Sequence, residues 1–422
     1  MEWKTLNLDN GVSLVYKRVQ ECYSVAMGIF VRSGVRYETP EYSGISHFVE
    51  HLLFKGTHTR SARELKEAIE GKGGSFNAFT AEELTCYHIK ILQQHIETGI
   101  EILSDMIKNP LFKSEEIDKE RNVILEEINM YRDIPSRQVY ELLDRIMFTN
   151  HPLGTSGLGT PETLKNIDRE ALLKYTDRFH KGKNIVVSVA GKFDEDKLFQ
   201  LIEKHLGKIH EGEKSSFVPF NTFKDDDRYN VEIRKTEQCH FCIGFYAYPR
   251  EDERKFPMTL ASTILGGNMS SRLFNEVREN RGLVYNIGSY VKSYHDTGAA
   301  VISAGLCPEN LIECISVIKD QLNNIINVRV SEEELERAKE YLVSQFLMGF
   351  EDPMKYMIWL GEQKTTRKKM LSLKEVEEKI RNVKVEDIQN VCNDIFNKKP
   401  FFALIGPEDK KENVSKILEA ER

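Results

Sequence analysis

The hydrophobic positions of the first 210 residues switch between a period of two and a period near 3.6, and each switch predicts a change of element. Leu6 and Leu8, then Val12, Leu14 and Tyr16, alternate on either side of Asp9-Asn10-Gly11, so Thr5 to Arg18 reads as a β-hairpin. Ser24 to Val31 is strand-like, and Gly34 to Ser43 is a loop. A helix follows in Gly44-Ile-Ser-His47-Phe-Val-Glu50-His51-Leu-Leu-Phe54, whose apolar residues Ile45, Phe48, Val49, Leu52 and Leu53 suit a buried element. Ala62 to Glu70 forms a second helix that stops at Gly71, and Gly73-Gly74 turns the chain into strands at Ser75–Thr80 and Leu84–Ile91. Helices are expected at 93–108, 114–133, 137–148, 169–180 and 194–206, with a Gly/Pro loop at 152–161 and a strand at Ile185–Val189.

The region His210 to Arg228 is polar and lacks apolar periodicity, after which the same order of elements returns. Strands are expected at 229–235 and 239–246, helices at 254–265 and 270–280, strands at 284–292 and 298–306, helices from 308 onward and a last strand near Phe401–Ile405. Gly73-Gly-Ser-Phe-Asn77-Ala-Phe-Thr lines up with Gly282-Leu-Val-Tyr-Asn286-Ile-Gly-Ser, and Glu115-Glu-Ile-Asp-Lys-Glu-Arg with Glu333-Glu-Leu-Glu-Arg-Ala-Lys. The chain therefore reads as two homologous domains, 1–212 and 229–422, joined by a linker at 213–228. Strands and helices are too mixed for a doubly wound sheet, so the expected class is α+β, with helices packed on a mixed sheet in each half.

Composition narrows the function classes. A chain of 422 residues with 40% hydrophobic and 30% charged residues is globular and larger than one ordinary domain. A net charge of −7 argues against a nucleic-acid binder. No stretch approaches the roughly 18 apolar residues of a membrane span. Met1-Glu-Trp-Lys-Thr-Leu carries no secretory or transit pattern, which leads to an expected cytoplasmic location. The seven cysteines are odd in number and scattered, as in a reducing compartment. Cys239-His-Phe-Cys242 has the spacing of half a zinc knuckle, but it lacks a second pair and lies in an apolar, strand-like run.

His47-x-x-Glu50-His51 changes the picture most. Residues four apart share a helix face, so both imidazoles can point to one place, and Glu50 stands at the edge of that face. Two neutral imidazoles are half of a tetrahedral zinc site, and a neighbouring carboxylate can take a proton from a water held there. With 11 histidines and 66 acids in the chain, random placement gives about 0.04 such patterns. The helix at 114–133 offers further carboxylates: Glu120 and Glu127 are two turns apart on one face, beside the apolar stripe Ile117, Ile124, Ile128 and Tyr131. Taken singly, each is as readily a solvated acid on a charged helix. A carboxylate beside two histidines, with one position open, is a known catalytic zinc arrangement.

His47-x-x-Glu50-His51 followed about 75 residues later by Arg121-Asn-Val-Ile-Leu-Glu-Glu127-Ile resembles the zinc peptidases of the pitrilysin family, in its processing-peptidase branch. The resemblance spans essentially the whole chain. It implies a LuxS/processing-peptidase-like metallohydrolase fold, with two mixed, mainly antiparallel sheets packed with helices and enclosing a chamber. It implies His47, His51 and Glu127 as ligands of one Zn2+ per chain, Glu50 as general base, and Glu120 as a supporting acid that orients a ligand. Sliding the repeat puts Met258, Ala261 and Ser262 opposite His47, Glu50 and His51, and Ala338 and Gln345 opposite Glu120 and Glu127, so the second half has no metal set.

In Arg278-Glu-Asn-Arg-Gly282-Leu-Val-Tyr285 the resemblance implies that Arg278 and Tyr285 donate to the oxyanion of the scissile peptide. Without it, Arg278 reads as a surface helix residue and Tyr285 as a strand aromatic. Phe76, Asn77, Ala78 and Phe79 match the family strand that pairs with the substrate backbone. One departure concerns specificity: Arg137 stands where mitochondrial processing enzymes carry an acid, with Glu141 nearby. The expected activity is zinc-dependent cleavage of extended or unfolded peptides by a homodimer. The alternatives are a non-catalytic partner or scaffold subunit, and one subunit of an obligate heterodimer.

Overall fold

A computed structural model of the chain describes residues 3–221 and 227–420. In the first half the strands are β1 (Lys4–Asn7), β2 (Ser13–Arg18), β3 (Ser24–Val31), β4 (Ser75–Thr80), β5 (Thr85–Leu92) and β6 (Ile185–Gly191). In the second they are β7 (Tyr229–Ile233), β8 (Cys239–Ala247), β9 (Val284–Ser293), β10 (Gly298–Leu306) and β11 (Phe401–Gly406). The first sheet has the order β1-β2-β6-β3-β5-β4 and the second β7-β11-β8-β10-β9. Apart from the extra β1, the two orders are the same. β2 and β6 pair in parallel, as do β7 and β11, and the other neighbours are antiparallel. The expected α+β class and the duplication are both present.

The helices of the first half are α1 (Ile45–Leu53), α2 (Ala62–Glu70), α3 (Ile96–Lys108), α4 (Ser114–Arg132), α5 (Pro135–Met147), α6 (Pro161–Asn166), α7 (Arg169–Phe179) and α8 (Glu195–Leu206). Those of the second are α9 (Lys255–Ser262), α10 (Leu311–Asn327), α11 (Glu332–Gly349), α12 (Pro353–Thr366), α13 (Leu373–Arg381), α14 (Val385–Phe396) and α15 (Lys411–Glu419). Most lie within two residues of the periodic segments in the sequence. Three differences have local causes. Helix α6 is one short Pro-initiated turn capped by Thr160, too brief to show a period. The helix expected to run to 265 ends at Ser262 and widens into a π-helical turn, Thr263–Gly267, because Gly266 leaves helical geometry. The helix expected at 270–280 is reduced to the π-helical turn Phe274–Glu279. Among the described residues, no helix is long and apolar enough to cross a membrane.

The compact units are not the two continuous halves. One comprises Met1–Asn129, Thr155–Val218 and Leu347–Ser372, and the other Met130–Gly154, Pro219–Phe346 and Leu373–Arg422. Each half thus lends one helix to the sheet of the other. In the first unit α12 lies across β3 and β6, where the Ser188 hydroxyl donates to the Met357 carbonyl at 2.7 Å. Gly361 rests directly on the Phe30 ring, leaving no room for a Cβ. In the second unit α5 covers β8 and β11, its Val139, Leu142, Leu143 and Met147 joining that unit's core. Tyr140 donates to the Ser303 hydroxyl at 2.8 Å. Nothing in an amphipathic pattern says which of two similar sheets a helix will cover, so the exchange is invisible in sequence. The linker expected at 213–228 has no helix or strand where it is described, and 222–226 lie outside the described residues.

Cys239 and Cys242 are buried strand residues of β8. The tight fit at Gly361 yields a test. Gly361→Val forces a branched side chain into Phe30 and is expected to lower the unfolding free energy by roughly 1–3 kcal/mol, as overpacking does, in chemical denaturation.

Candidate metal centre

Helix α1 starts from Gly44, whose φ of 92° is left-handed. A Cβ on Gly44 would stand 2.6 Å from the Leu158 carbonyl oxygen, so only glycine fits there. The entry residue therefore has no side chain with which to cap the first N–H groups of the helix. Glu38 caps them from the preceding loop. Its buried carboxylate accepts the Gly44 N–H at 2.8 Å and the Ser46 N–H at 2.9 Å. The buried Tyr175 hydroxyl donates to Ser46 Oγ at 2.8 Å. Beyond this anchor, Phe48, Val49, Leu52 and Leu53 sink into the core of the first unit, which leaves His47, Glu50 and His51 half-buried along the other edge.

Helix α4 faces that edge. Glu127 Oε2 lies 3.8 Å from His47 Nε2 and 3.7 Å from His51 Nε2. These separations are too long for hydrogen bonds. They are close to the roughly 3.4 Å between adjacent ligand atoms of a tetrahedral zinc with bonds of about 2.1 Å. One nitrogen from each histidine and one oxygen of Glu127 all lie within 4.8 Å of each other. Among the described residues this is the one such group of three or more His, Cys, Asp or Glu side chains. His47 Nδ1 is buried with no hydrogen-bond partner. Nε2 faces Glu127 at 3.8 Å, beyond hydrogen-bond reach, so its lone pair is available to a cation once the proton sits on Nδ1. Burial, and then the neighbouring His51, push the pKa of His47 down to about 4, so it is neutral at pH 7, the form that binds metal. The donor set fits zinc.

The surrounding groups hold the donors in place. His51 Nδ1 lies 3.0 Å from Glu120 Oε2, and Glu120, only 4% exposed, is ion-paired through Oε1 with the Lys55 ammonium. A carboxylate on the far ring nitrogen fixes the tautomer and aims Nε2 at the site. Glu50 Oε2 accepts a hydrogen bond from the Thr80 hydroxyl at 2.6 Å. Burial raises the pKa of Glu50, and Glu127 adds to the rise, while Thr80 and His51 oppose it. A carboxylate poised above its ordinary value holds a proton more readily than a free one.

The sequence of the first half matches the model of insulinase, peptidase family M16, over residues 14–161. Residues 166–342 match the model of the peptidase M16 inactive domain. A Bacillus subtilis protein named uncharacterized zinc protease YmxG is 35% identical over 404 residues, 96% of this chain and 98% of that protein. This chain belongs to peptidase family M16, the pitrilysin family. An uncharacterized zinc protease of Rickettsia felis is 36% identical over 95% of this chain and 97% of its own. The fold is shared with a protease from Helicobacter pylori, with a TM-score of 0.89 at 20% identity over 96% of this chain and 99% of that one.

Within this M16 chain, His47, Glu50, His51, Glu120 and Glu127 come together in the first unit. Phe76 to Phe79 lie on β4, an edge strand of the first sheet. Phe76 packs on Phe54 with ring centroids 5.1 Å apart, and the Ala78 N–H donates to the exposed Asn77 side chain at 2.9 Å. Arg278 and Tyr285 belong to the second unit, where the Arg278 guanidinium sits over the rings of Phe274 and Tyr285 at 4.8 and 5.7 Å. Tyr285 is 77% exposed. The pair borders a pocket of about 350 Å³ with Tyr140, His240 and Gln238.

Sequence reasoning missed Glu38, Lys55 and Thr80. Lys55 is four residues past His51, so helical spacing could have suggested it. Thr80 follows Phe76 and Ala78 on one strand face, a weaker signal. Glu38 had no signal, because its role depends on Gly44 being unable to cap its own helix.

Burial outweighs the pull of the Ser46 hydroxyl and the two N–H groups on Glu38 and lifts its pKa from 4.5 to about 7. A raised carboxylate stabilises the fold fully below its unfolded value, and that contribution is lost as pH rises through the folded value. The stability difference between wild type and Glu38→Gln is thus expected to shrink by about 2 to 3 kcal/mol between pH 5 and pH 8. Denaturation of the zinc-free proteins at both pH values measures this, and a difference independent of pH contradicts it.

Proposed function

We propose that the chain is a zinc-dependent endopeptidase that cuts extended or unfolded peptides. The observation that carries this reading is the convergence of His47, His51 and Glu127 on one point, with the Glu50 carboxylate near enough to interact electrostatically with His51 and Glu127. His47 Nε2, His51 Nε2 and Glu127 Oε2 would hold the ion. Bound there, zinc supplies Lewis acidity and lowers the pKa of a coordinated water. Glu50 takes the proton of the attacking water and delivers it to the leaving amine. Glu120, itself paired with Lys55, orients His51.

The edge strand β4 suits a peptide backbone added as a further strand, with Phe76, Asn77, Ala78 and Phe79 as its contacts. Arg278 and Tyr285 donate to the oxyanion in this reading, a role that rests on the family pattern. The reading further takes the enzyme to be a homodimer in the cytoplasm that needs no second kind of subunit.

Glu50→Gln is expected to keep zinc near one per chain while turnover of an unstructured peptide falls by roughly 10²–10⁴-fold. Cleavage at the wild-type rate would remove Glu50 as the base. Glu127→Ala is expected to leave the purified protein substoichiometric in zinc, and full zinc content there would strike it from the ligand set. The purified chain alone is expected to cleave the peptide and to sediment at twice the mass of one chain. Activity that appears only on adding a second gene product would support the heterodimer instead.

A further inference from the structure

The first unit contains a contact that the metal donors do not explain. Thr80, the last residue of β4, donates its hydroxyl to Glu50 Oε2 at 2.6 Å, and both side chains are half-buried. A glutamate on a helix edge has several rotatable bonds, and the Glu50 carboxylate, which interacts electrostatically with His51 and Glu127, could swing toward the metal donors as a further ligand. With Oε2 occupied by Thr80, one oxygen of Glu50 is tied to the strand and Oε1 remains to carry a proton.

The two elements that meet in this hydrogen bond are registered by one short segment. At its start, the N–H groups of Val35 and Arg36 donate to the carbonyls of Ala81 and Glu82 at 3.3 and 2.8 Å. The Arg36 guanidinium, fully buried, pairs with Glu83 at 2.6 Å. These contacts grip the β4–β5 turn, where Thr80 pairs with Thr85 and the Ala81 N–H donates to the Leu84 carbonyl at 2.9 Å. Two residues after Arg36, Glu38 caps the first turn of α1, which carries Glu50. Residues 35–38 thus tie strand end and helix start to one piece of backbone, and the Thr80–Glu50 bond closes the loop between them.

We propose that Thr80 is a positioning residue for Glu50, holding its carboxylate off the metal position and oriented for proton transfer. The proposal rests on Glu50 being the general base. Its action is on Glu50, so it belongs in turnover and not in the affinity for peptide or zinc.

The test uses Thr80→Val, which keeps the branched strand side chain and removes the hydroxyl, beside Thr80→Ser, which restores a hydroxyl. In the zinc-loaded enzyme Thr80→Val is expected to lower kcat by about tenfold or more and leave KM within about twofold, as misplacement of a catalytic group does. Zinc content, and the affinity of the zinc-free protein for the same peptide by fluorescence anisotropy, are expected to stay at the wild-type value. Thr80→Ser is expected to recover kcat to within about threefold of wild type. Wild-type kcat in Thr80→Val, with Glu50→Gln inactive, overturns the proposal while leaving the function intact. A Thr80→Ser enzyme as slow as Thr80→Val, or loss of zinc or peptide binding in Thr80→Val, overturns it in favour of packing. A fully active Glu50→Gln enzyme removes the general base and Thr80's role together.

Discussion

A nine-residue helix must present two imidazoles to a carboxylate that arrives from a separate helix, and the rest of the first unit is arranged around keeping that helix still. Short helices are held by tertiary packing more than by propensity. In α1 the apolar residues fill the core, while the donor edge pays out no burial energy of its own and would fray if the ends moved. Both ends are therefore fastened by side chains from elsewhere or just beyond the helix. Glu38 and Tyr175 hold the first turn, and Lys55 joins Glu120 past the last. Buried carboxylates are costly unless partnered. Here Glu38, Glu50 and Glu120 each have a partner, so three acids can stand around one helix without a single large unfavourable term.

Among the described residues there is one such cluster of donors, although the fold is duplicated. The two sheets share their strand order and pairing sense, so α1 and α9 occupy equivalent places in the topology, as do α4 and α11. The residues that the sequence alignment sets against His47, Glu50 and His51, namely Met258, Ala261 and Ser262, are buried on α9. Ala338, set against Glu120, is buried on α11. Helices α12 and α5 are exchanged between the sequence halves, each packing on the sheet of its own unit through contacts such as Gly361 on Phe30 and Tyr140 on Ser303.

The electrostatics of the centre follow from the same burial. His47 is kept neutral because its surroundings solvate a charge poorly, and the same desolvation raises Glu50. One environment thus prepares a ligand to bind a cation and an acid to hold a proton. Thr80 moderates the second effect by giving the Glu50 carboxylate a donor.

The sequence by itself determined the elements, the duplication and the identity of the donors. Hydrophobic period is a local property, and helical spacing puts His47 beside His51 and Glu120 in line with Glu127, while Glu127 as the third donor rests on the resemblance to the pitrilysin family. It could not determine which sheet α5 and α12 would cover, since an amphipathic stripe specifies a buried face and not its partner. Nor could it name Glu38, Lys55 and Thr80 as the groups that hold the donors. Glu38 caps a helix 6 residues on because Leu158 and Gly159 crowd Gly44. Lys55 meets Glu120, and Thr80 meets Glu50 from a strand end 30 residues away. Those contacts join residues distant in sequence, and only the packing of α1 against its neighbours brings them within reach.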